Sequence, residues 1–318
     1  MKQQRILCFG NVVMDGMFML SQMPGYDEKA FADTVSWSPG GPAIHFATIS
    51  ARLGSHASVL GWVGDDTIGL QVKQALESKG VKPVFHQILN TQTPTAIIMV
   101  DRTGEKAVVL SPPIDRSRLP EPEEVAAYDL TGTNHIHTHL FLAPYVECML
   151  AASGEIGISR SLDIEPSSVR RWGTEKVKSL LKLTDIIFIK EPAVSMLCPE
   201  GEDLPEKLSR IADWGPSVVV CTRGRHGSTA SAGGRLFFSP SIPVVTNNSL
   251  AAGDIFAGVF VYRYLEDQSI EGALQYATAA ASVAVSRSGS SLHYPSVQEI
   301  KATLAQHKLI FQKNEVDA

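Results

Sequence analysis

The feature that most constrains the fold of this chain is a repeated rhythm. A short apolar run is followed by a turn of Gly, Pro or Asp, then an amphipathic stretch of 10–17 residues, then another apolar run. Arg5–Phe9, Ala57–Val63, Ile186–Ile189, Val218–Thr222 and Ile242–Val245 read as strands. Pro42–Leu53, Gly69–Lys79, Thr174–Leu183, Ala252–Glu266 and Ile270–Ser286 read as helices. Fully apolar strands alternating with helices of this length predict an α/β fold, a mostly parallel sheet covered by helices on both faces. At 318 residues the chain has room for one large α/β domain with an appendage, and its 44% hydrophobic content can fill the core.

Two segments break the rhythm. Lys29–Ser38 and Thr95–Leu110 alternate polar and apolar residues, and Asp101-Arg102-Thr103-Gly104 reads as the turn of a hairpin between Ala96–Val100 and Lys106–Leu110. Such strands sit poorly inside a parallel sheet and are expected to form a small separate one, a lid over the main domain. A net charge of −5 without a basic cluster argues against a nucleic-acid partner. Cys8, Cys148, Cys198 and Cys221 are scattered without ligand or disulfide spacing, as in a reducing cytosol. Gly10, Asn11 and Asp15 interrupt the apolar N-terminal run, so neither a signal peptide nor a membrane partner is expected, and the location predicted is cytoplasmic.

The chemistry concentrates in Asn248-Ser249-Leu250-Ala251-Ala252-Gly253-Asp254-Ile255-Phe256-Ala257-Gly258. Small residues where a helix begins leave main-chain N–H groups unobstructed, and with the helix dipole these attract an anion. An Asp in that first turn can take a proton from a hydroxyl lying beside the anion, and phosphoryl transfer needs both elements. On spacing alone, a turn followed by a helix-favouring acid fits the same residues.

The stretch resembles the signature D-T-x-G-A-G-D-x-F of the ribokinase (PfkB) family of carbohydrate kinases. It retains Ala252, Gly253, Asp254 and Phe256, with Asn248, Ser249 and Ala251 where the family has Asp, Thr and Gly. Gly40-Gly41-Pro42-Ala43-Ile44-His45-Phe46-Ala47, ending in Ala51-Arg52-Leu53-Gly54, is similar to the family's G-G-x-x-x-N-x-A…R-L-G, with His45 replacing the sugar-binding Asn. Thr222-Arg223-Gly224-Arg225-His226-Gly227 resembles the T-x-G-x-x-G loop that lies along the nucleotide. Ala277–Ser282 with Gly289 resembles the adenine-side helix and its loop. Where relatives carry N-x-x-E, this chain has Lys190-Glu191-Pro192-Ala193.

The resemblance runs from Gly10 to Gly289 and implies a three-layer ribokinase-like fold, residues 1–10, 41–89 and 113–311 forming the main domain and 11–40 and 90–112 the lid. It implies an ATP-dependent kinase acting on a sugar-like small molecule. Asp254 is the expected base, with the N–H groups of Ala251, Ala252 and Gly253 on the transferring phosphoryl. Thr222, Gly224, Gly227, Lys190, Ala281, Ser282 and Gly289 are expected on ATP. Asp15, Asn11, Gly41, His45, Lys29 and Asp163 are expected on the substrate. Mg²⁺ is expected with ATP, Glu191 reaching it through water, whereas Asn248 removes a carboxylate from the monovalent-cation site of many relatives. The lid implies a homodimer, and residues 10–54 are closest to the sulfofructose kinase branch. A nucleoside kinase of this fold and a sensor that has lost turnover are the alternatives. His135, His137 and His139 alternate on a strand, a spacing open to a metal site or to the lining of the sugar pocket.

Overall fold

The computed structural model describes residues 3–103, 105–199, 201, 203–287 and 292–307. Its strands are β1 (Arg5–Phe9), β2 (Val13–Leu20), β3 (Ala32–Gly40), β4 (His56–Gly64), β5 (Lys82–Ile88), β6 (Thr95–Val100), β7 (Lys106–Leu110), β8 (His135–His139), β9 (Ser159–Ile164), β10 (Ile186–Lys190), β11 (Val218–Thr222), β12 (Ser228–Ala232) and β13 (Arg235–Ser239). Its helices are α1 (Pro42–Leu53), α2 (Thr67–Ser78), α3 (Pro122–Ala126), α4 (Ala143–Glu155), α5 (Pro166–Leu181), α6 (Glu191–Leu197), α7 (Leu204–Ala212), α8 (Ala252–Asp267), α9 (Ile270–Ser286) and α10 (Val297–Gln306).

The large sheet has nine strands in the order β13-β12-β11-β10-β9-β8-β1-β4-β5. Its strands from β11 to β5 pair in parallel, and β12 and β13 add an antiparallel edge. Side chains alternate across each strand, so Ile6 and Cys8 join one core with α1, α8 and α9, while Leu7 and Phe9 join the other with α4, α5 and α6. Phe46 and Phe260, both fully buried, each contribute roughly 1.5–3 kcal/mol by leaving water.

β1 is flanked by β4 on one side and β8 on the other, so the strand order reverses between β1 and β8. Open α/β sheets place ligands beyond the strand ends at such a reversal. The backbone is pressed tight there: a Cβ on Gly10 would stand 2.5 Å from the His139 ring.

The smaller sheet runs β3-β2-β6-β7, with β6 and β7 forming the expected hairpin; Gly104 of its turn lies outside the described residues. In register, Asp15 and Met17 share the buried face with Ala96 and Ile98. Phe18, Val35, Trp37 and Val109 occupy the opposite face, and the last three are exposed.

Two expectations need correction. Ile242–Val245 is not a strand but loop; Pro243 lies within it and Pro240 just before it, and neither has an N–H to give a ladder. The helix expected from Thr174 starts at Pro166, with a kink at Gly173 (φ 77°, ψ 162°). Of the alternating histidines, His135 meets the Ser159 and Ser161 hydroxyls at 3.1 and 2.7 Å, and His137 meets Ser161 at 2.8 Å. Among the described residues no group of His, Cys, Asp and Glu is arranged for a metal ion, and no helix is long and apolar enough to cross a membrane.

Candidate active site

The loop after β13 turns into α8 at Ala251, which adopts a left-handed conformation (φ 56°, ψ 9°). Asn248 shapes this entry by accepting the Leu250 N–H on its side-chain oxygen at 2.9 Å, and the Asn247 and Asn248 N–H groups bond the Val285 carbonyl at the end of α9. A helix's first amides have no carbonyl one turn back, and here no side chain caps them. A Cβ built on Gly253 would meet nothing within 4 Å, so the space before the helix is open.

That space belongs to a cavity of about 640 Å³, a common size for a small-molecule site. Ala252 and Gly253 line it with Thr222, Gly224, Gly227, Lys190, Glu191, Ala281 and Ser282. The nucleotide-side residues expected from sequence are thus together, except Gly289, which lies outside the described residues. Ser241–Val244 and Thr246 form a further wall that sequence reasoning missed by treating this segment as a strand. Lys190, Arg223 and Arg225 give the wall positive charge, and Arg223 donates to Glu191 at 3.3 Å.

Asp254 sits in the first turn of α8 beside the cavity. Burial, then the charges of Asp163 and Glu165, push its carboxyl well above the usual range, against the pull of Lys190. Asp163, at the end of β9, is raised to about 7 by burial and by Glu165. Lys190 donates to Glu165 at 2.6 Å. Burial would lower Lys190, but the Glu165 bond and the charges of Glu165, Asp163 and Asp254 more than offset it. Glu165 was not singled out in the sequence, although Asp163-Ile164-Glu165 at a strand exit puts a second carboxylate beside the first.

Of the other residues expected on the substrate, Asp15, His45, Gly41 and Asn11 lie together. Asp15 on β2 is buried, and burial raises its carboxyl to about 6. His45 on α1 places Nε2 3.9 Å from Asp15 Oδ2. Burial and the nearby Lys79 charge lower His45 to about 3, so the ring is neutral. The glycines make this possible: a Cβ on Gly40 would lie 2.0 Å from Asp15 Oδ2, and one on Gly41 (φ 106°) would lie 2.5 Å from the Asn11 carbonyl oxygen. Gly258 lets α8 approach α1 closely, since a Cβ there would stand 2.5 Å from Ile49. Asn11 is exposed at the β1 exit, and Lys29 is exposed in the segment joining β2 to β3, not on a strand. Tyr294, missed in the sequence, bonds His45 Nδ1 at 2.9 Å and feels the charges of both Asp254 and Asp15. The two groups of residues therefore meet at Asp254. An uncapped helix start, cations on one side, a carboxylate with raised proton affinity and the buried polar pair Asp15 and His45 suit transfer of an anionic group to a hydroxyl.

Comparison with known proteins identifies a family for the chain. A family model described as pfkB family carbohydrate kinase matches residues 3–296. The ATP-dependent ribose-1-phosphate kinase of Halopiger xanaduensis is 27% identical over 303 residues, covering 95% of this chain and 98% of that protein. The ribokinase of Bacillus subtilis is 26% identical over 312 residues, covering 95% and 100%. Arabidopsis thaliana ribokinase complexed with ribose and ATP superposes with a TM-score of 0.78 at 20% identity, covering 95% of this chain and 99% of that one. An E. coli structure with ATP and Mg²⁺ bound gives a TM-score of 0.80 at 21% identity, covering 96% and 100%.

Proposed function

The chain belongs to the PfkB family of carbohydrate kinases, and on that premise we propose that it moves the γ-phosphoryl group of ATP to a hydroxyl of a small sugar or sugar derivative, with Asp254 as base. A member of this family is a phosphotransferase with an alcohol acceptor. The observation that carries the finer reading is the position of Asp254, in the first turn of α8 between the cavity and the Asp15–His45 hollow.

In this reading ATP occupies the cavity, as the ATP-bound relatives encourage. Its phosphates face the α8 N-terminus and its base the Thr222–Gly227 and Ala281–Ser282 walls. Lys190 leaves Glu165 for a phosphate oxygen. Mg²⁺, with the ATP phosphates as its main ligands, would neutralise their charge when bound, and Glu191 at the cavity wall would be the carboxylate that holds it through water. Asp15 and His45, with Gly41, Asn11 and Asp163 around them, hold the sugar. Asp254 removes the hydroxyl proton as that oxygen bonds the γ-phosphorus and the bond to the β-phosphate oxygen breaks, releasing ADP. The N–H groups of Ala251, Ala252 and Gly253 stabilise the charge on the transferring group.

The small sheet acts as the lid, excluding water when it closes. The apolar outer face carrying Val35, Trp37 and Val109 favours pairing with a second copy, since exposed apolar patches mark interaction surfaces. Lys29 can reach an anionic group on the substrate from its exposed segment. The proteins described above are a ribose-1-phosphate kinase and ribokinases, and they lend no support to the sulfofructose-kinase likeness of residues 10–54.

Release of ADP measured against a panel of sugars and nucleosides tests the reading. A sugar that drives release above the ATP-only rate supports it. A nucleoside as the sole acceptor makes this chain a nucleoside kinase, and ligand-induced stabilisation without ADP release makes it a sensor.

A further inference from the structure

We propose that Tyr294 is a positioning residue that holds His45 as an Nε2–H donor, so that His45 and Asp15 together read one hydroxyl of the sugar. This rests on the reading of Asp15 and His45 as substrate residues and adds what sets their hydrogen-bonding polarity.

A neutral imidazole carries one N–H, and its neighbours decide which nitrogen holds it. His45 is only 4% exposed, and its two ring nitrogens face different partners. Nδ1 lies 2.9 Å from the Tyr294 hydroxyl, while Nε2 faces the acceptor-only carboxylate of Asp15 at 3.9 Å. A lone pair on Nε2 would point at a carboxylate, whereas a proton there points at an acceptor. The proton therefore belongs on Nε2, and the Tyr294 O–H donates to Nδ1. Burial, then the charges of Asp254 and Asp15, raise the Tyr294 phenol, which keeps it protonated and able to donate. Lys79 stands over the Tyr294 ring at 5.6 Å from its centroid and helps keep His45 neutral.

The gap between Nε2 and Oδ2 is too long for a direct hydrogen bond. It does fit a hydroxyl oxygen at about 2.8 Å from each atom, accepting from His45 and donating to Asp15. A ligand that cannot both give and accept at that point, such as an ether or a deoxy sugar, leaves one of two buried groups unpaired. Without the phenol, Nδ1 loses its donor and only the Asp15 carboxylate, 3.9 Å away, still favours Nε2–H, so the Nε2 donor is lost part of the time.

The test uses the full chain with ¹⁵N-labelled histidine rings. In long-range ¹H–¹⁵N spectra His45, identified by its disappearance in His45→Asn, is expected as a single Nε2–H tautomer that becomes a mixture in Tyr294→Phe. In steady state, with the pentose or hexose that drives ADP release fastest, Tyr294→Phe is expected to raise the sugar KM about tenfold, the worth of one hydrogen bond, with kcat and the ATP KM within about twofold. In the His45→Asn background, whose amide donor needs no tautomer choice, the same change is expected to add nothing. An unchanged tautomer in Tyr294→Phe, or an equal KM penalty in both backgrounds, overturns the proposal. If no sugar drives ADP release, the kinase reading fails while the spectra still decide the role of Tyr294.

Discussion

Gly40→Ala is a one-atom probe of the sugar side of the cleft. The added Cβ would stand 2.0 Å from Asp15 Oδ2, 2.1 Å from Cγ and 2.4 Å from Oδ1. Non-bonded heavy atoms settle near 3.5–4 Å, so the carboxyl group must retreat by more than about 1 Å. Gly40 has no left-handed backbone to protect, and Ala fits its strand, so the effect is confined to the displaced carboxylate. Hydrogen bonds to a charged group are worth about 1.5–3 kcal/mol each, and losing one raises the sugar KM by about 10- to 150-fold. The assay is initial rate against sugar at saturating ATP, then against ATP at saturating sugar, with a melting curve as the check on folding. The ATP KM is expected to stay within about twofold, because the cavity at Gly253 and Lys190 is untouched. A folded variant with a wild-type sugar KM refutes the assignment of Asp15 to the substrate.

Two further outcomes follow from the same geometry. Ala251 is held at φ 56°, a conformation that costs an L-residue about 1–2 kcal/mol, so Ala251→Gly is expected to raise Tm by about 1–3 °C after the entropy of glycine is set against the relief; a fall in Tm by calorimetry contradicts the strain. Asp15 at about 6 and Asp163 at about 7 are both raised, and burial also raises Asp254 well above the usual carboxylate range. A carboxyl raised on folding favours the fold while protonated, and that contribution is lost as pH rises through the folded value. Activity has the opposite sign, since acceptor and base must be ionised. The acid limb of kcat/KM for the sugar is therefore expected at pH 6 or above, and a profile flat down to pH 5 rules out raised carboxyls in these roles.

The strands and helices that bury a continuous face were legible in the sequence. β1, β11, α1 and α9 run between the residues their patterns predict. Where the pattern misled, a local rule had been outweighed. Val244 and Val245 suggested a strand, but Pro240 and Pro243 deny that segment a ladder and leave it as a cavity wall. The pattern predicts a helix only from Thr174, but helix also precedes the kink at Gly173, from Pro166. The site divides in the same way. Gly253, Asp254 and Gly41 lie at helix starts, where a few consecutive residues define the chemistry. Tyr294 acquires its place only by meeting a residue 249 positions away, and Glu165 by meeting Lys190 25 positions away. No local pattern marks Tyr294, and for Glu165 the only local sign is its place two residues after Asp163. Three alternating histidines leave a metal site and a pocket lining both open, because spacing alone cannot reveal the serines beside His135 and His137.

The most direct test of the account is turnover by Asp254→Asn, which keeps the shape of the first turn of α8 and removes the proton acceptor. With the sugar that drives ADP release, kcat is expected to fall by about 10²- to 10⁴-fold while stabilisation by a non-hydrolysable ATP analogue is unchanged. A variant that binds the analogue normally and turns over at near the wild-type rate contradicts the assignment of Asp254 as the base.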